Sequence, residues 1–223
     1  MNFKPSKTFQ DMAKDLVSKQ SRDKRLIDYI NEFVDDDEVP GIQHVIVDRN
    51  NILFSHAKGW ADIKNQVPMT LKTTMMVYST TKVLTAAAIL KLFDQGKLHL
   101  KDTIDKYLPD IPYKEEITIQ QVLSHTSGIP NPNAIHWFHF MEKHDDFDRK
   151  ALLQKILGEN TKLNFSPGAK YQYSNLGYVL LGEVIERVSG LFYEDYMRKE
   201  IYSPLEISGE EMDFAQFSQI KLK

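Results

Sequence analysis

A mixed α/β (α+β) domain is predicted by three observations. β-rich runs at Ile42–Val47 and Ile52–Phe54 flank Asp48-Arg49-Asn50-Asn51, a turn composition, and read as an antiparallel hairpin. The nearly uninterrupted apolar stretch from Val83 to Phe93, followed by Gly96, reads as a helix buried among other elements. Leu181, Val184, Ile185 and Val188 fall at helical spacing and end at Gly190, the pattern of an amphipathic helix.

Taken in order, residues 1–20 show no periodicity and are expected to form a loose arm. From Ser21 to Val34 the apolar positions Leu26, Ile27, Ile30, Phe33 and Val34 predict an amphipathic helix, ended by Asp35-Asp36-Asp37-Glu38 and Pro40-Gly41. The hairpin follows. Leu98 to Asp110 reads as a loop or short helical turns. Thr118-Ile119-Gln120-Gln121 has capping-box spacing and predicts a short helix ending near Ser124. His125-Thr126-Ser127-Gly128 closes that helix, and Pro130, Asn131 and Pro132 make an irregular connection. Asp148 to Leu157 predicts another helix, with Gly158 as its stop. Phe165-Ser166-Pro167-Gly168 is a turn, and Tyr171-Gln172-Tyr173-Ser174-Asn175 is an ordered loop leading into the last helix.

Candidate chemistry begins at Ser79-Thr80-Thr81-Lys82. A hydroxyl and an amine at i and i+3 share a helix face, and a lysine in a dry site can activate a serine. The same spacing occurs at Ser21/Lys24, Ser55/Lys58 and Ser218/Lys221, so context has to separate the four. Ser21 reads as an N-cap. Ser55 and Lys58 lie in a strand, where positions three apart face opposite sides. Ser218 and Lys221 lie at the terminus. Ser79 alone opens a buried helix, whose N-terminal N–H groups favour developing negative charge. On this segment alone, Ser79 as an N-cap with Lys82 as a solvated first-turn residue is the favoured reading. Tyr173 can relay a proton and Asn175 can hold an amide; alternatively, Asn175 caps the helix and Tyr173 is a partly buried aromatic. Tyr-x-Asn also occurs at Tyr29-Ile30-Asn31.

In order, these pieces resemble the serine β-lactamase and penicillin-binding-protein family. Within it, they most resemble the branch of class C β-lactamases, D-alanyl-D-alanine carboxypeptidases and related esterases. Ser-x-x-Lys marks that superfamily, and Tyr173-Ser174-Asn175 matches the branch's Tyr-x-Asn motif. The text around them is similar too: Thr85 to Leu90, Gly96-Lys97-Leu98, His125-Thr126-Ser127-Gly128, and Phe165 through Gly190. The likeness runs from about Gly41 to Leu205. It implies a β-lactamase/transpeptidase-like fold, an antiparallel sheet flanked by helices plus a helical region. It also implies a serine hydrolase that acts through an acyl-enzyme on amide or ester bonds, of β-lactamase, D-Ala-D-Ala carboxypeptidase or esterase type. Ser79 would be the acylated nucleophile and Lys82 its base or electrostatic partner. Tyr173 would move protons, and Asn175 would bind the substrate amide.

The family's third motif, a Lys- or His-containing strand ending in Gly, has no counterpart after Asn175. The expectation is therefore a chain with the C-terminal strands missing: a loose arm at 1–20, an incomplete domain at 21–205 and a divergent tail at 206–223. A catalytically inactive truncated homologue, acting as a binding or interaction module, is the alternative reading.

Composition narrows the rest. A net charge of -3 gives no reason to expect a nucleic-acid partner. The absence of cysteine excludes disulfides and a thiol nucleophile. No apolar run approaches the ~20 residues of a membrane span. No signal-like segment opens the chain, so the expected location is cytoplasmic as written, or periplasmic or extracellular if the true start lies upstream. His136, His139 and His144 near Asp145 and Asp146 lack a recognised coordinating arrangement, so no metal or other cofactor is expected. His125 reads as a structural loop residue. The expected partners are a small-molecule or peptide substrate and a complementing chain or oligomer covering the missing strands.

Overall fold

The computed structural model of the protein describes residues 9–35, 39–133 and 147–209, together with Met212 and Phe214. The chain divides into two compact units, with the boundary between Met75 and Met76. The first contains helix α1 (Phe9–Asp35) and strands β1 (Gly41–Val47), β2 (Ile52–Asp62) and β3 (Val67–Pro68). The second contains helices α2 (Thr81–Asp94), α3 (Ile119–Leu123), α4 (Arg149–Glu159), α5 (Asn175–Ser189) and α6 (Tyr193–Met197).

In the first unit the strands form an antiparallel sheet in the order β1-β2-β3. The β1–β2 turn is built as its composition predicts: Asp48 Oδ1 accepts from the backbone N–H of Asn50 at 2.8 Å and of Asn51 at 2.7 Å. β2 runs well past Phe54, because the ladder continues through pairs with polar members, such as His44 with His56 and Ile42 with Lys58. Apolar periodicity cannot register such pairs. At the far end Gly41 faces Gly59, which has φ +88°; a Cβ on Gly59 would lie 2.4 Å from the Pro40 carbonyl oxygen. Only glycine admits that approach. α1 packs against β2, burying Ile30, and Asn31 Oδ1 accepts from His56 Nε2 at 2.8 Å. α1 is continuous from Phe9, so residues 9–20 are helical rather than a loose arm.

The second unit holds nearly all of the described core. α5 buries Leu176, Leu180, Leu181, Val184 and Ile185 against α2, α3 and α6. α2 contributes Thr85, Ala88, Ile89 and Leu92, one face at helical spacing. Its other side is not covered: Val83, Leu90 and Phe93 are exposed, which corrects the expectation of a helix buried all round. An all-apolar run carries no contrast from which to tell the covered face. α3 has its predicted capping box: Thr118 Oγ1 accepts from Gln121 N–H, and Gln121 Oε1 accepts from Thr118 N–H. α4 is capped by Asp148 and includes Gly158, ending one residue later than that glycine. Beyond α6, a wide helical turn at Arg198–Tyr202 and a tight one at Ser203–Leu205 complete the unit. Phe214 stacks on Tyr202, so part of the segment after Leu205 packs on the core. Among the described residues no strand follows Pro68, and no helix is long and apolar enough to cross a membrane.

Candidate active site

Ser79 lies in a tight helical turn, Tyr78–Thr80, that runs directly into α2. The turn is entered through Tyr78 at φ +42°, a left-handed conformation that a bulky residue rarely adopts. This presents Ser79 to solvent at the N-terminal end of a helix whose opposite face is anchored in the core.

The second group of residues arrives with α5. Ser174 is the N-cap, and it does two things with one hydroxyl. Its Oγ accepts from Gly177 N–H at 3.0 Å and donates to the Pro130 carbonyl at 2.8 Å. Tyr173 is thereby fixed just before the helix, and Asn175 is the first helical residue rather than its cap. Gly177 lets α3 approach closely, since a Cβ there would lie 3.2 Å from Val122 Cγ1. Asn175 N–H donates to Asn131 Oδ1 at 2.9 Å.

The four residues singled out in the sequence converge. Lys82 Nζ lies 3.2 Å from Ser79 Oγ and 2.8 Å from Asn175 Oδ1, donating to both. The Tyr173 hydroxyl lies 2.8 Å from Ser79 Oγ. The ammonium sits 4.9 Å from the Tyr173 ring centroid and 5.7 Å from that of Tyr178. Ser79 Oγ therefore touches a phenol and an amine at once. Asn175, with its carbonyl oxygen occupied by Lys82, keeps its amide N–H groups for another acceptor.

The electrostatics follow from the same contacts. Burial raises the Tyr173 phenol, but hydrogen bonding with Lys82 and Ser79 and the Lys82 charge outweigh it, so its pKa lies below the usual tyrosine value. Burial, then the Lys82 charge, holds the His125 imidazole below its ordinary value.

Sequence reasoning missed Tyr178 and Asn131. Tyr178 lies three residues after Asn175 on the first turn of α5, a spacing that places both on one helix face. Asn131 had no local signal. The histidines at 136, 139 and 144, with Asp145 and Asp146, lie outside the described residues. Among the described residues no group of His, Asp and Glu is arranged to hold a metal ion.

A family model described as Beta-lactamase matches residues 26–215, wider at both ends than the motif-bearing stretch. The chain is similar to penicillin-binding protein 4* of Bacillus subtilis (strain 168), with 32% identity over 155 residues, 69% of this chain and 34% of that protein. Among solved structures it is similar to the octameric penicillin-binding protein homologue from Pyrococcus abyssi. That match has a TM-score of 0.70 and 32% identity, covering 82% of this chain and 43% of the other. It is also similar to EstCE1, described as a hydrolase with promiscuous acyltransferase activity. There the TM-score is 0.73 and the identity 25%, covering 86% of this chain and 53% of the other. The chain spans about a third of the length of the curated relatives it matches.

Proposed function

The chain belongs to the Beta-lactamase family, and from that premise we propose that it is a serine hydrolase that cleaves amide or ester bonds through an acyl-enzyme on Ser79. The observation that carries this reading is Ser79 Oγ held between the Tyr173 hydroxyl at 2.8 Å and Lys82 Nζ at 3.2 Å. Lys82 biases Tyr173 toward the phenolate. The phenolate takes the Ser79 proton as Oγ forms a bond to the acyl carbonyl carbon. The carbonyl oxygen becomes an oxyanion beside the Ser79 N–H at the start of α2. The bond to the leaving group then breaks, and that group takes the proton from the Tyr173 hydroxyl. Water, deprotonated in turn by Tyr173, attacks the acyl carbon; the bond to Ser79 Oγ breaks and Tyr173 returns the proton to Oγ. Asn175 donates from its amide to the substrate's carbonyl.

Esters, D-alanyl-D-alanine peptides and β-lactams all suit this acylation. The penicillin-binding and hydrolase descriptions of the relatives support testing each. Incubation with a labelled penicillin or an activated ester, followed by mass spectrometry, is expected to find one adduct on Ser79 and none on Ser79→Ala. Equal labelling of the two proteins would refute the proposal.

The second reading is a binding module without turnover. Acylation of Ser79 without release would mark this case. The octamer described for the archaeal homologue supports measuring whether self-association restores turnover.

A further inference from the structure

Tyr173 precedes its helix by two residues and could swing on the loop, yet a proton relay must stay within hydrogen-bond reach of Ser79. The residue that pins it is His125, which lies in the loop after α3. His125 has φ +58°, a left-handed conformation that turns its carbonyl and its ring toward the same stretch of chain. Its carbonyl accepts from Gln172 N–H at 2.8 Å, and its Nδ1 accepts from Ser174 N–H at 3.2 Å. These are the N–H groups of the residues on either side of Tyr173. The imidazole also lies along the phenol, with ring centroids 4.6 Å apart and planes tilted 36°. Its other neighbours are Tyr178 at 4.9 Å and Tyr171 at 5.8 Å.

We propose that His125 is the positioning residue for Tyr173, clamping the backbone on both sides of it and backing its ring so that the hydroxyl stays on Ser79. This rests on the reading of Tyr173 as the group that moves the Ser79 proton. Since Nδ1 accepts, the imidazole proton is on Nε2 and the ring is neutral. A second proton would set a donor against Ser174 N–H and a cation near Lys82. Ser174 is 2% exposed, so its N–H has no easy recourse to water if the acceptor is lost.

Two variants separate this role from simple structural support. His125→Gly removes ring and acceptor while tolerating the positive φ. His125→Asn loses the ring but returns an acceptor near Nδ1, and asparagine also accepts that conformation. Acylation of Ser79 by an activated ester is followed by mass spectrometry at several ester concentrations. His125→Gly is expected to slow the limiting acylation rate roughly 10²-fold, the effect of a misplacement of about 1 Å, with the half-saturating concentration little changed. His125→Asn is expected to recover most of that loss. Wild-type rates in His125→Gly, or a folded His125→Asn no faster than folded His125→Gly, would overturn the proposal. If His125→Gly does not fold, His125→Asn decides: a rate within about tenfold of wild type supports the clamp, and a rate as low as that of Tyr173→Phe refutes it.

Ultraviolet difference titration, with Tyr173→Phe as the blank, reads the Tyr173 phenol without any turnover. Its titration is expected to move up toward the ordinary tyrosine value in His125→Gly and less so in His125→Asn; no movement counts against the clamp. Should the wild type fail to acylate, the hydrolase reading falls and this titration still judges the positioning role.

Discussion

The proposed mechanism requires Tyr173 to be a base near neutral pH, and a free phenol, with pKa near 10, is not one. Here burial pushes the phenol up, and hydrogen bonding with Lys82 and Ser79 together with the Lys82 charge outweighs it. The sign gives a prediction. The acylation rate should climb with pH as the phenolate forms and level off above the Tyr173 pKa. In Lys82→Ala the climb should move to higher pH, with a loss at neutral pH of roughly 10²-fold or more, the usual worth of a general base. A pH profile of Ser79 acylation in both proteins checks it, and an unmoved profile would remove Lys82 from this role. His125 titrates with the opposite consequence for stability. Its folded pKa is depressed below about 6.5, so as pH falls past that value the unfolded chain takes up a proton that the folded chain resists. Stability should therefore decline on acidification from that point, and less steeply in His125→Asn, as read by thermal unfolding across the range.

At the scale of elements, the start of α5 carries the most. Ser174 caps the helix and ties it to Pro130 with a hydroxyl buried from water. Ser174→Ala should destabilise the protein by about 0.5–2 kcal/mol, the range for a lost N-cap. It should also slow Ser79 acylation, because Tyr173 and Asn175 flank the cap. Denaturant unfolding beside the acylation assay tests both. Much of this element level was legible in the sequence. The capping box at Thr118, the Asp48 turn and the Gly190 stop are local chemistry, and the structure has all three. What was not legible needed tertiary information. Tyr173 reaches Ser79 across a separation of 94 residues, and no local pattern reports that closure. The covered face of α2 and the length of β2 escaped for the reasons given above: the helix lacked polar contrast, and the strand continues on backbone pairing through polar residues.

For the whole molecule, burial is unevenly shared. Ile30 and Phe54 are the deeply buried apolar side chains described in the first unit, whereas the cluster running from Ala88 to Tyr202 belongs to the second. Meanwhile Val45, Val47, Ile52 and Leu53 of the hairpin remain exposed. Local opening is easiest where few apolar contacts are broken. Amide hydrogen exchange should therefore be slowest in α2 and α5 and distinctly faster in β1 and β2. Equal protection of the hairpin and the helical core would contradict this view of where stability resides. The family fold was readable at this scale because its motifs occur in order. How apolar burial is divided between the two units was not, since composition is blind to partition.

The left-handed backbone at Tyr78 sets stability against speed. A non-glycine residue held there costs of order 1–3 kcal/mol. Tyr78→Gly would release that strain, offset in part by the larger conformational entropy of glycine in the unfolded chain. If the strain serves to hold Ser79 forward, the relaxed variant should melt higher yet acylate more slowly. In that outcome the tyrosine is the less stable of the two options, a trade-off that selection for thermostability alone would erase.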